Sequence, residues 1–164
     1  MQGPGLIRRP APLLALIALA SFGAVGAALV SQYQFDMQPC PWCVLQRLIF
    51  VIIGAFALLG LVLPSGGVRR VLAAGGLIFT LCGMAAALWQ HFVAAQSASC
   101  KLTWADRILQ ALGLFDLAPE VFAPTASCAE AAVNLLGIPY ALWSLALFAL
   151  LGVGCVQVMR NARV

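Results

Sequence analysis

Four runs of nearly uninterrupted apolar residues divide the chain, at about 11–30, 44–63, 71–89 and 140–159. Each is close to the roughly 20 residues that a helix needs to cross a bilayer. Hydrocarbon offers no water to backbone N–H and C=O groups, so each run predicts a helix. The connecting segments differ in length. The stretch 31–43 is short, "PSGGVRR" between the second and third runs is shorter still, and 90–139 is long and polar. The pattern predicts an all-α membrane protein, a four-transmembrane-helix bundle forming a single domain over 1–164. Arg8 and Arg9 ahead of the first run would also suit a signal peptide or a twin-arginine export signal. That run is longer than the ~7–15 apolar residues of a signal core, so it is read as a span.

Composition sharpens the picture. Hydrophobic residues make up 63% of the 164 and charged residues only 9%. A soluble domain is nearer half apolar and a quarter charged. The net charge of +4 is small, and no basic cluster interleaves with aromatics, which argues against nucleic acid as a partner. Arg8, Arg9, Arg69, Arg70, Arg160 and Arg163 share one side of a four-crossing chain. Arg47, Lys101, Arg107 and all the acids fall on the other. The positive-inside rule then predicts cytoplasmic termini, with 31–43 and 90–139 facing the opposite compartment, the periplasm in a bacterium.

The cysteines follow this division. Cys40 and Cys43, in "PCPWC", stand where the first outer loop meets the second run. Cys100 and Cys128 lie in the long loop, and Cys82 and Cys155 lie within spans. Four cysteines on the oxidising side suit two disulfides. A Cys100–Cys128 bridge could staple the long loop. A Cys-x-x-Cys pair closes too few residues to be a useful staple, and suits thiol exchange better. Zinc would need a second close pair, whereas Cys100 and Cys128 are far apart in sequence and the one histidine is His91. Cys82 and Cys155 read as small packing residues.

Pro41 favours a helix start near Cys43, where peptide dipoles would stabilise a thiolate. Arg47 is four residues on, one turn deeper on the same face. An arginine at the hydrocarbon edge invites a functional reading against simple snorkelling to the interface. Gln46 reads as an interfacial hydrogen bonder. In the long loop, "TWADRILQALGLF" sets Trp104, Ile108, Leu112 and Phe115 at helical spacing, with Thr103 as N-cap and Asp106 at the capping-box offset. It predicts a short helix on the membrane surface, with packing against the bundle as the alternative. "FDLAPEVFAPTASC" is Pro-containing and predicts a mobile or extended segment.

"CPWCVLQR" opening a second span, "SCAE" around Cys128 and "GIPYALWSL" leading into the fourth span resemble the disulfide bond formation protein B (DsbB) family, over the whole chain. The resemblance implies an inner-membrane thiol:quinone oxidoreductase. Its partner would be a DsbA-like periplasmic thiol oxidase, and its acceptor ubiquinone or menaquinone. It also implies that Cys100 and Cys128 accept electrons by exchange, that Cys128 passes them to Cys40, and that Cys43 reduces the quinone. Arg47 would help bind the quinone, and His91 would neighbour it, although an interfacial hydrogen-bonding histidine is the alternative. The residues agree on the acceptor, since neither a Rossmann glycine fingerprint nor a Cys-x-x-Cys-His haem signature is present. Two other readings compete. A vitamin K epoxide reductase-like enzyme would carry its Cys-x-x-Cys after the loop pair, not before it. A non-enzymatic four-span scaffold would use the cysteines as staples.

Overall fold

The computed structural model describes residues 10–96 and 103–162. Four long helices are each long and apolar enough to cross a membrane. They are α1 (Pro10–Phe35), α2 (Pro41–Val62), α3 (Gly66–Phe92) and, after the long loop, α7 (Tyr140–Asn161). α1 packs on α2, α2 on α3, α3 on α7, and α7 closes back on α1, so the architecture is a four-helix membrane bundle.

The helices overrun the apolar runs. α1 continues to Phe35 because Ser31, Gln32 and Gln34 keep helical backbone after leaving the hydrocarbon. Asp36 then turns the chain in a left-handed conformation (φ 51°). The first outer connection therefore shrinks from 31–43 to 36–40. α2 starts at Pro41 because Cys40 caps it, its sulfur accepting from the Cys43 N–H at 3.3 Å. α3 starts earlier than predicted and carries Arg69 and Arg70. Arg69 donates to the Gly60 carbonyl at 2.9 Å and Arg70 to the Met159 carbonyl at 3.1 Å. These cations cap the C-terminal ends of α2 and α7.

The core is a seam of Leu14, Ile17, Ile53 and Phe148, all almost fully buried. Phe148 stacks on Phe50 with ring centroids 4.1 Å apart and 5° between planes. Gly83 makes room for this, since a Cβ there would lie 2.5 Å from the Phe148 ring.

The long loop contains α4 (Trp104–Ala111), α5 (Leu114–Leu117) and α6 (Pro119–Phe122), then a hairpin of β1 (Asn134–Leu135) and β2 (Ile138–Pro139). Thr103 and Asp106 close a full capping box on α4 despite the shorter acid. Ala105 and Leu109 are fully buried, whereas Trp104, Ile108 and Leu112 are exposed. Thus α4 packs one face on the bundle and presents an apolar face outward. It ends before Phe115 because Gly113, at φ 65°, breaks the periodicity that ran through it. The following segment is helical at α5 and α6, not extended throughout as its prolines suggested; Pro119 instead starts α6 at its first turn.

Candidate redox site

The site forms where the start of α2 meets the loop after α6. Among the described residues, three cysteines converge there. The Cys40 and Cys43 sulfurs lie 2.8 Å apart, and Cys40 also makes a side-chain hydrogen bond with Cys128. Cys40 is fully buried and Cys128 nearly so. Cys40 is thus the middle member of a row, with Cys128 on the loop side and Cys43 on the membrane side.

Two local devices hold Cys128 there. Backbone N–H groups of Thr125 and Ala126 both donate to the Pro39 carbonyl, at 3.0 and 3.2 Å. "SCAE" is a reciprocal cap: the Ser127 N–H and hydroxyl donate to the Glu130 carboxylate, and the Glu130 N–H donates back to the hydroxyl. Those two donations hold the Glu130 carboxyl below its ordinary range.

The row is electrostatically graded. The hydrogen bond from Cys40 holds the Cys128 thiol below the usual cysteine value, with help from the Trp42 backbone N–H. Donation to Cys128, then to Cys43, together with burial, pushes the Cys40 thiol far up. Cys128 is therefore the ready thiolate of the two, and Cys40 the thiol that faces it.

Cys43 opens into a cavity of about 440 Å³ between α1, α2, α7 and the loops, lined by Ala28, Phe50, Tyr140 and Leu147 among other mostly apolar side chains. Its polar lining beside Cys43 is Gln46, Arg47 and Gln90. Arg47 does not snorkel. It is buried and donates to Gln32 Oε1 at 2.7 Å, the Val121 carbonyl at 3.1 Å and the Ala28 carbonyl at 3.3 Å. All three acceptors are neutral, so the guanidinium charge stays available to an anion in the cavity. Gln46 is no interfacial residue either. It is buried and donates to Gln90 Oε1, while Gln90 Nε2 donates to Cys43 Sγ at 3.0 Å.

His91 sits apart. It lines a neighbouring cavity of about 190 Å³ that shares Gln90 and Tyr140 with the larger one, and its ring meets Phe92 edge-on. Adjacent helical residues point about 100° apart, so with Gln90 aimed at Cys43, His91 turns aside. Cys100 lies outside the described residues. Cys155 is buried in the bundle and Cys82 is exposed on the outer face of α3, both away from the row. Gln32 and Gln90 were missed from the sequence; the available signal was an amide near the end of an otherwise apolar helix.

Residues 9–158 match the family of disulfide bond formation protein DsbB. The chain belongs to the DsbB family. Among its relatives, the disulfide bond formation protein B of Cupriavidus necator is 35% identical over 153 residues, covering 90% of this chain and 94% of that protein. Disulfide bond formation protein B 1 of Pseudomonas syringae pv. syringae is 32% identical over 164 residues, covering 96% and 94%. A Pseudomonas aeruginosa relative of the same name is 32% identical over 158 residues, covering 93% and 97%. With four spans and this family, the chain is a multi-pass membrane protein of disulfide bond formation, with a redox role.

Proposed function

We propose that the chain reoxidises a DsbA-like periplasmic dithiol protein and passes the electrons through two cysteine pairs to a membrane quinone. One observation carries this reading: Cys40 touches both Cys128 and Cys43, and Cys43 opens into an apolar cavity beside a buried arginine.

The steps balance as thiol exchange. A partner dithiol opens a Cys100–Cys128 disulfide and leaves as a disulfide. The Cys128 thiolate attacks Cys40 in a Cys40–Cys43 disulfide, forming Cys128–Cys40 and releasing Cys43 as a thiolate. Cys100 then attacks Cys128, restoring the loop disulfide and leaving Cys40 as a thiol. Cys40 and Cys43 now hold two electrons at the cavity wall.

The cavity suits a quinone: largely apolar walls fit a neutral ring, and Arg47, Gln46 and Gln90 offer donors for its oxygens. When bound, a quinone supplies the acceptor for the two electrons and two protons that leave the dithiol. Arg47 would hold the ring and stabilise negative charge at the cavity end of α2.

The orientation belongs to the same proposal. Arg69, Arg70 and Arg160 gather at the end of the bundle opposite the cysteine row. This supports the bacterial inner membrane, cytoplasmic termini and a periplasmic redox face.

Purified protein with a reduced thioredoxin-like partner and a soluble quinone analogue should consume quinone and partner thiols one for two. Cys43→Ala should abolish quinone loss. A partner that stays reduced with the wild-type protein would remove the proposal.

A further inference from the structure

The two glutamines beside Cys43 form a chain with a direction. Gln46 lies one turn along α2 from Cys43, and Gln90 faces both from α3; both amides are buried. A primary amide has a donor end and an acceptor end. The acceptor end of Gln90 takes the N–H of Gln46, which leaves its donor end for the Cys43 sulfur.

We propose that Gln46 is a positioning residue: its N–H occupies the acceptor end of the Gln90 amide, which biases the Gln90 N–H toward the Cys43 sulfur and favours its thiolate. The inference rests on the reading of Cys43 as the cavity-side redox thiol. Gln46 reaches Cys43 only through Gln90. If residue 46 could not donate, the Gln90 amide would be free to turn. If residue 46 were a carboxylate, an obligate acceptor, it would draw the N–H of Gln90 and leave oxygen facing the sulfur. Oxygen there suits a thiol that donates and repels a thiolate. Buried and shielded from water, the polarity of this pair has a larger effect than it would at a surface.

The titratable or charged groups around Cys43 are Cys40 at the helix cap, Cys128 on the loop, Arg47 on its own helix and Tyr140 on α7. None of them is altered in the uncharged test variants. Methionine is close to glutamine in shape and has no N–H, so Gln90→Met, Gln46→Met and the double variant isolate the amides. Each full-length protein is reduced in lipid nanodiscs without quinone, and Cys43 alkylation is followed by peptide mass spectrometry across pH.

A hydrogen bond to a charged group is strong enough that Gln90→Met should slow Cys43 alkylation at neutral pH about tenfold or more and move its profile to higher pH. Gln46→Met should act in the same direction by less, and should add nothing in the Gln90→Met background. Gln46→Glu, which keeps the contact with reversed polarity, should slow alkylation more than Gln46→Met and serves if the methionine variant does not fold. An unchanged profile in Gln90→Met or Gln46→Glu would overturn the inference. So would a full effect of Gln46→Met on top of Gln90→Met. The assay contains no quinone, so it reads the amide pair whether or not the proposed acceptor is correct.

Discussion

At the scale of single residues, the environment of each cysteine decides its part. Cys128 is held low by its hydrogen bond from Cys40, so its thiolate persists to lower pH than an ordinary cysteine near 8.5. In the reduced protein, alkylation of Cys128 should therefore rise to half its maximum at a lower pH than that of an ordinary, solvated cysteine measured alongside it. Cys40→Ala should move the midpoint up, and Cys40→Ser, which keeps a donor, should move it less. An unaltered midpoint in Cys40→Ala would show that the contact does not set Cys128 reactivity. Arg47 permits a second expectation. Its guanidinium serves three acceptors on α1 and α6, which lysine cannot reproduce in a planar fork. Arg47→Lys should raise the apparent KM for quinone, Arg47→Ala should raise it further, and neither should slow exchange between partner and loop cysteines. Quinone kinetics unchanged in Arg47→Ala would leave Arg47 a purely structural tie. The residues themselves were legible in "CPWCVLQR"; their partners were not. From the sequence Gln46 reads as interfacial, because its role depends on Gln90 and no pattern along α2 reveals which residue of α3 it meets.

At the scale of elements, hydrophobic runs reveal hydrocarbon, while helix ends obey capping. That is why the spans were legible and their limits were not. α1 overruns its apolar run by a turn of polar residues, and α2 starts where a cysteine and a proline cap it. The amphipathic periodicity of 104–115 was correct as a face and wrong as one helix, because a single left-handed glycine interrupts it. Interhelix packing was likewise beyond the pattern. Gly83 reads as a neutral residue in a span, yet it faces a fully buried, stacked Phe148 ring. Gly83→Ala would gain about 1 kcal/mol in helix propensity. The ring has nowhere to go, and overpacking of this kind costs about 1–3 kcal/mol. We expect a net loss of thermal stability in detergent or nanodiscs. Gly23→Ala meets nothing within 4 Å and should be neutral or stabilising. Equal behaviour of the two variants would contradict the packing described for α3 and α7.

At the scale of the whole molecule, the fold sets a gradient of accessibility. The bundle puts Cys43 against a cavity between helices, and the long loop folds back so that Cys128 is covered by the first outer connection. Cys128 is only 7% exposed, and among the described residues the thiol it bonds is that of Cys40. A soluble protein partner cannot bring a thiol to a sulfur enclosed in this way without displacing the contacts of Thr125 and Ala126 with Pro39. In the exchange proposed above the partner is met by the other loop cysteine, Cys100, which precedes α4 in the chain. A partner with only one active-site cysteine cannot resolve its own adduct, so it should accumulate as a mixed disulfide. The cross-link should map to Cys100, and it should be most persistent in Cys128→Ser, where nothing resolves it from the loop side. In the otherwise wild-type chain the released Cys128 should turn to Cys40, giving a second, interloop disulfide in the same trapped molecule. Peptide mapping under non-reducing conditions reads both bonds at once. A cross-link on Cys128 with Cys100 free would reverse the order of exchange and would require the loop after α6 to open before the partner binds.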